Sequence, residues 1–170
     1  MSADSSSISH ASDHSVSVLL LRLQSMELLI PKAMVADVLS WNEDNYQMSD
    51  GQTEDWHLGE YEWHERTLSL VCFEKLIQTE QAQESMLKRK VIILKGVADE
   101  NKGHHYALHC KGFPKPLILS ESSLDNLSQS VDDEWVAYTM LIGDRLLNIP
   151  DFHKIENTIW MHNKAISQSA

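Results

Sequence analysis

The chain has no apolar run approaching the roughly 18 to 20 residues that a membrane-spanning helix needs, so helical membrane insertion is excluded. The longest apolar stretch near the start, VLLLRL, is short and has no positively charged region ahead of it, so no secretory signal peptide is expected. Cysteine is scarce. Cys72 and Cys110 are the two in the sequence, each in an apolar context, and they read as small buried thiols of a reducing, cytoplasmic compartment rather than a disulfide. Positive charge is also scarce: 14 basic residues face 25 acidic ones, the net charge is −11, and no basic cluster exceeds the KRK at 88–90. Such a surface repels phosphate backbones and anionic lipid, so nucleic acid is not an expected partner, whereas a basic protein surface is compatible.

The usual catalytic signatures are missing too. No GxSxG elbow, GxxxxGK[ST] loop, HExxH helix or CxxC pair occurs. His57 with His64, or His104, His105 and His109, are the nearest approach to a metal set. Adjacent strand residues point to opposite faces, so His104 and His105 cannot both be ligands if a strand begins there, and surface or cross-strand histidines are the simpler reading. Glu60 and Glu62 share one face of an extended segment, and Asp132 lies beside Asp133, but solvated carboxylates account for both in a chain this acidic. Cys72 falls in the strongest strand pattern, where a thiol is inert. The chain is therefore read as no enzyme, with no cofactor and no metal.

What is present is 42% hydrophobic residues, enough to exclude a fully disordered chain. The length fits one domain, with a folded part of about 145 residues if the ends are tails. The serine-rich start reads as a disordered tail over residues 1–15, the folded domain as 16–162, and residues 163–170 as a C-terminal tail. Within the domain, residues 54–76 are the most ordered pattern. Leu68, Leu70 and Cys72 alternate with Ser69, Val71 and Phe73, which describes a strand covered on both sides and so the centre of a sheet. The glycine and tryptophans just upstream, Gly59 with Trp56 and Trp63, read as a turn set before the chain enters the core.

On either side of this centre the chain reads as short strands and turns. Two strands joined near residues 24–27 occupy 16–31, and the second ends at Pro31. KAMVADVLSW fits helix and strand alike, because Ala33, Val35, Val38 and Leu39 fall at mixed intervals. Residues 42–55 read as an acidic surface connection, and 77–90 as a loop or a short solvated helix. VIILKG and HYALHC form a hairpin, and Pro114 and Pro116 argue for an edge or loop position at the bend before the next strand. SESSLDNLSQSVDDEW offers a serine cap before helical-looking Leu124 and Leu127. A last hairpin runs over 134–150 to Pro150, and KIENTIWMHNKAIS can form a final helix with Ile155, Ile159, Met161 or His162, and Ile166 roughly along one face. The tally of about eight strands with little helix implies an all-β barrel, a sandwich, or a pair of small barrels. Because 16–31 and 134–150 share one form, ending LLIP and LLNIP, the two ends of the domain are expected in one subdomain.

Five tryptophans are many for this length. Trp41, Trp135 and Trp160 are read as core, while Trp63, beside His64, Glu65 and Arg66, fits core and interface equally, since tryptophan with arginine is the composition of interface hot spots.

The stretch WHLGEYEWHERTLSLVCFEKL resembles the signature of CheW-like domains, in which a tryptophan and a glycine precede a strand, an arginine-glycine turn follows, and a strand with proline, valines and an aspartate comes after. The first hairpin with its IP ending, GFPK, and the closing GDRLLNIPDF resemble the same family in the same order over about 16–160. The sequence looks most like the divergent CheW-like adaptors of chemosensory systems that control type IV pili and twitching motility. The resemblance implies a fold of two small five-stranded SH3-like barrels sharing a hydrophobic interior. It also implies a scaffold that couples methyl-accepting chemoreceptors to a CheA-type histidine kinase, recruited from the cytoplasm to receptor arrays. Partner-binding residues would be Glu62, Trp63, His64, Glu65 and Arg66; Trp56, Gly59, Leu68, Leu70, Phe73 and Pro150 would be structural. The chain departs from the family pattern at four positions. His64 and Glu65 stand for the arginine-glycine turn, Ser69 for the strand proline, and Cys72 for the aspartate. With Glu65 in place of glycine, the turn is expected to take another shape, and His64 for arginine removes a permanent charge and a bidentate donor. A small-molecule or peptide binding module, with GHHYALHC as the wall of a groove, is the competing reading.

Overall fold

The computed structural model describes residues 14–50, 54–77, 89–99 and 102–169. Most of the 1–15 tail and most of the 77–90 connection lie outside these residues. The described chain forms β1 (Val16–Arg22), β2 (Glu27–Pro31), β3 (Val35–Ser40), β4 (Tyr46–Gln47), β5 (His57–Trp63), β6 (Arg66–Val71), α1 (Phe73–Leu76), β7 (Arg89–Lys95) and β8 (His105–Lys111). It continues through β9 (Lys115–Leu119), α2 (Glu121–Leu124), β10 (Leu127–Gln129), β11 (Val136–Ile142), β12 (Arg145–Pro150) and α3 (Phe152–Ser169).

The fold is mostly β, in two six-stranded sheets. One runs β10-β11-β12-β2-β1-β9 and the other β3-β7-β8-β6-β5-β4. Each sheet thus has one strand more than the five expected per barrel, and both contain a very short edge strand, the three-residue β10 and the two-residue β4. The first hairpin and the last one do meet: β12 joins β2 in parallel, so both ends of the domain build the first sheet. β9, which contains Pro116, lies at that sheet's edge, where a residue without an N–H is tolerated.

Three apolar clusters explain the sequence pattern. Val18, Leu20, Leu29, Met140 and Leu147 fill the first sheet's own interior, and Tyr61, Leu68, Leu70, Val91, Ile93 and Ala107 fill the second's. Between the sheets lies a larger cluster that includes Leu19, Leu21, Leu28, Ile30, Val71, Phe73, Ile92, Leu94 and Leu108. β1, β2, β6 and β7 each bury both faces, which is why VLLL and VIIL read as continuous apolar runs. β6 sits between β8 and β5 in the interior of its sheet, as its pattern implies. The strand ends at Val71, however, and Cys72 is the buried residue preceding α1 rather than part of the strand.

The ambiguous KAMVADVLSW is a 3₁₀ turn, Lys32–Met34, followed by β3. A bulge between Val35 and Asp37 interrupts the alternation of β3, so Val35 and Val38, three residues apart, both pack on the inter-sheet cluster. A bulged strand therefore imitates helical spacing. Leu127 belongs to β10, not to α2, whose N-cap is Ser120 accepting from the Ser123 amide. The final helix continues well past residue 162: α3 runs to Ser169, through most of the stretch read as a tail. Asp151 caps it by accepting from the Lys154 amide at 3.0 Å.

Candidate functional site

The segment read as a glycine-containing turn before the central strand is largely strand. β5 runs through Gly59, which occupies a bulge at φ +138°, where a Cβ would stand 2.2 Å from the Gln47 carbonyl oxygen. β4 can pair closely there only because residue 59 has no side chain. The reversal itself is the two-residue connection 64–65, closed by the Trp63–Arg66 pair. His64 and Glu65 have φ of 46° and 60°. Both are left-handed, as a tight hairpin turn of right-twisted strands requires. The turn therefore keeps a glycine-compatible geometry although Glu65 replaces glycine, contrary to the expectation of a different shape. Holding L side chains there costs about 1 to 2 kcal/mol per residue.

Neighbouring contacts hold the strained tip in place. Trp63 Nε1 donates to Asp37 Oδ2 at 3.0 Å, and His64 Nε2 lies 3.9 Å from the same oxygen. The Trp63 ring packs against His64 and His105, with centroids 4.7 and 5.1 Å away, and Arg66 Nη1 is 3.4 Å from His105 Nδ1. Trp63 is half-buried, while Glu62, His64, Glu65 and Arg66 are exposed. The structure thus brings the five candidate partner-binding residues together at one hairpin end, with Trp63 serving as its anchor. Among the structural candidates, Trp56, Gly59, Leu68, Leu70, Phe73 and Pro150 are all buried. Trp160, read as core, is half-buried and lines a groove instead.

That groove, of about 610 Å³, lies between α3 and the second sheet. Its sheet side includes Glu60, Arg66, Ser69, His104 and His105, and its helix side Ile159, Trp160, Asn163 and Ile166. Two features that sequence reasoning missed hold α3 there. Glu156 is 1% exposed and accepts from the amides of Val97 and Ala98, at 2.9 and 2.7 Å, and from the Tyr106 hydroxyl at 3.3 Å. Burial and this carboxylate push the Tyr106 phenol well above its ordinary value. Ser69 Oγ donates to Asn163 Oδ1 at 3.1 Å, which gives the serine in the family's proline position a partner on the helix. The one signal for Glu156 was its place beside Ile155 and Ile159 on the apolar side of the helix.

The buried ionisable groups are arranged to stay neutral or to hold backbone. The His57 ring packs 4.4 Å from that of His162 and 5.6 Å from Trp56; burial, then the nearby His162, lowers its pKa to about 4. His109 is lowered to about 3 by burial and by Arg89 and Lys75, and a guanidinium nitrogen of Arg89 contacts its ring nitrogens. Buried Glu74 accepts from the Gln24 and Ser25 amides and so fastens α1 to the β1–β2 turn. Burial raises the Cys72 thiol and takes Cys110 to about 12, leaving both protonated and poorly nucleophilic at neutral pH. Glu60 and Glu62 are exposed on β5, Glu60 at the groove. Among the described residues, no group of three or more His, Cys, Asp or Glu side chains could hold a metal ion. No helix among them is long and apolar enough to cross a membrane.

Two six-stranded sheets around a shared core, with an exposed hairpin and a groove beside α3, make up a domain of mostly β structure. The CheW-like domain family matches residues 17–158, and the chain belongs to that family of non-catalytic scaffold domains. Among solved structures, the chain is similar to the scaffolding protein TtCheW from Thermoanaerobacter tengcongensis, with a TM-score of 0.65 and 12% identity over 82% of this chain and 91% of that one. No curated protein matches the sequence.

Proposed function

We propose that this protein is a non-catalytic adaptor of a bacterial chemosensory system, coupling chemoreceptors to a CheA-type histidine kinase, in the branch that controls type IV pili or twitching motility. The CheW-like match over residues 17–158 carries the reading. The adaptor works in the cytoplasm at membrane-associated receptor arrays, without inserting into the bilayer and without nucleic acid. The tip formed by Glu62, Trp63, His64, Glu65 and Arg66 is the proposed partner contact. An anchored hairpin presents its exposed side chains with little ordering left to be done on binding, which is the favourable case for a small interface. His64 and Glu65 in place of arginine and glycine alter the chemistry of that contact, so partner choice differs from that of family members carrying the usual pair.

Purified protein is expected to co-migrate with the regulatory domain of a CheA-type kinase from the same cell. Arg66→Glu and Glu62→Lys, both exposed, should weaken this without shifting the melting temperature. If both variants bind normally, the hairpin is not the contact. Loss of twitching on deletion of the gene, restored by the intact chain, tests the pilus assignment.

A second reading has its own observation. Gly103, His104, His105 and Tyr106 line the groove beside α3, as a peptide or small-molecule module walled by that hairpin requires.

A further inference from the structure

β6 uses only part of its second edge. The two-residue turn 64–65 makes Trp63 and Arg66 the closing hydrogen-bonded pair of the β5–β6 hairpin, and the antiparallel ladder alternates from there. Arg66 and Leu68 therefore turn their N–H and C=O groups to β5, while Thr67 and Ser69 turn theirs the other way, toward β8. On that side the parallel ladder holds two pairs, Leu70 with Ala107 and Val71 with Leu108. Continued toward the hairpin it would pair Ser69 with Tyr106 and Leu68 with His105. Instead the strands part there, and the groove opens with Thr67, Ser69, His105 and Tyr106 in its lining and Ile159 and Ile166 of α3 beside them. Among the described residues, the Thr67 N–H and C=O and the Ser69 N–H have no ladder partner.

Alternating donors and acceptors along an open edge are matched by another extended backbone. Position 69 points the same way. Ser69 stands where the CheW-like pattern has a proline, a residue that lacks the N–H and fits a strand only where no ladder bond is needed. This chain thus has a donor at a position where the pattern has none. The Ser69 hydroxyl is bonded to Asn163 of α3, so the group that the open edge presents is the amide. We propose that the groove binds a short extended peptide as a strand added to β6, through the Thr67 and Ser69 backbone, with an apolar side chain against Ile159 and Ile166. The last of these is 49% exposed and so is open to such a contact. The edge 67–69, about 10 Å at the strand rise, matches about three to four residues of peptide, whose apolar side chains then recur two residues apart. This rests on the second reading above, and it names the ligand class of that site and its mode of recognition.

The test is panning of a phage-displayed random heptapeptide library on the full chain, followed by fluorescence anisotropy with the labelled winning peptide. Enriched sequences should carry apolar residues at alternate positions. Methylating the peptide's amide nitrogens one at a time should weaken binding at alternate residues only, and the bound peptide should slow hydrogen exchange at the Thr67 and Ser69 amides. Ser69→Pro removes one donor and sets a ring at the edge, so binding should fall about tenfold. Ser69→Ala removes the hydroxyl and keeps the amide, and should bind within about twofold of the parent. Ile166→Asp, at an exposed position, should weaken binding about tenfold by loss of the apolar contact. Circular dichroism and melting temperature establish that the variants are folded, and if Ser69→Pro is not, the methylated peptides and the exchange data still decide. A peptide that shows no alternation on methylation and no protection of Thr67 and Ser69, or that Ser69→Ala weakens as much as Ser69→Pro, overturns the added strand while leaving the groove as a site. If no peptide is enriched, or Ile166→Asp leaves binding unchanged, the second reading itself fails.

Discussion

Glu156→Ala is the substitution that most directly tests how α3 is held. The carboxylate is 1% exposed and receives two backbone amides and one phenol, all from the segment that links β7 to β8 or from β8 itself. Truncation leaves two buried donors, the Ala98 amide and the Tyr106 hydroxyl, and the part-buried Val97 amide without their acceptor, at about 1 to 3 kcal/mol for each buried one. Against this stands the dehydration cost of a buried carboxylate, several kcal/mol, which the variant no longer bears. Removing one side of a buried charged network nevertheless destabilises, because the remaining partners were placed for the missing group and cannot all turn to water. A net loss of about 3 kcal/mol is therefore expected. Glu156→Gln keeps the shape and one acceptor oxygen but turns an amide NH₂ toward donors, and about half the loss is expected. Urea unfolding followed by tryptophan fluorescence gives the difference, and hydrogen exchange at the Val97 and Ala98 amides locates it. If Glu156→Ala unfolds within about 0.5 kcal/mol of the parent and those amides stay protected, the carboxylate is not what docks the helix.

Gly59→Ala places a Cβ against the Gln47 carbonyl at 2.2 Å in a backbone conformation that L residues rarely adopt, and a loss of about 3 kcal/mol or more is expected by chemical denaturation. Glu65→Gly should act in the opposite sense, raising stability by about 0.5 to 1 kcal/mol, since relief of left-handed strain exceeds the added freedom of the unfolded chain. An unchanged or lowered melting temperature would show that the turn is not strained at residue 65. His109, at about 3 in the folded protein against an ordinary value near 6.5, is neutral in both states above pH 6.5 and contributes no pH dependence there. Below it the unfolded chain takes up a proton that the folded chain does not, so stability falls with pH, by about 2 kcal/mol between pH 6.5 and 5, and the fall levels off only below the folded value. His57 acts in the same direction, down to about 4. His109→Gln, which keeps an acceptor for Arg89, should flatten the dependence of the urea midpoint on pH over that range, and an equally steep profile would remove His109 as its source.

The all-β class and the interior placement of the 66–71 strand were legible because they depend on alternation and on runs too apolar for a one-sided strand, and the meeting of the two terminal hairpins because 16–31 and 134–150 share one form. The short strands β4 and β10 were not, since two or three residues carry no period. β3 was ambiguous for a physical reason, its bulge at Val35 to Asp37 converting a period of two into a spacing of three. The hairpin residues could be picked out by composition, but their anchoring could not, because Asp37 lies 26 residues upstream of Trp63 and nothing in the sequence links them. The groove was less visible still. It depends on Glu156, whose backbone-amide partners lie more than fifty residues away, where no periodicity in the sequence can link them.

The conformation of the hairpin tip and its chemistry are therefore separable in this protein. A two-residue turn between twisted strands demands positive φ at both positions whatever residues occupy them. Glycine would satisfy that demand cheaply, yet the chain has His64 and Glu65, and the cost is offset by Trp63 bonded to Asp37 and packed between two imidazoles. The anchor keeps the shape of the tip while its charges change. It follows that Asp37→Asn, which leaves a weaker neutral acceptor for the Trp63 indole, should loosen the turn only slightly in the parent, whereas Asp37→Ala should do so severely. It also follows that Glu65→Gly should reduce the cost of Asp37→Ala, because a turn without strain at residue 65 needs less holding. A double-mutant cycle over Asp37 and Glu65 measures that coupling, expected at about 0.5 to 1 kcal/mol. Additive effects of the two substitutions would mean that Asp37 serves the indole alone and that the tip holds its shape without it.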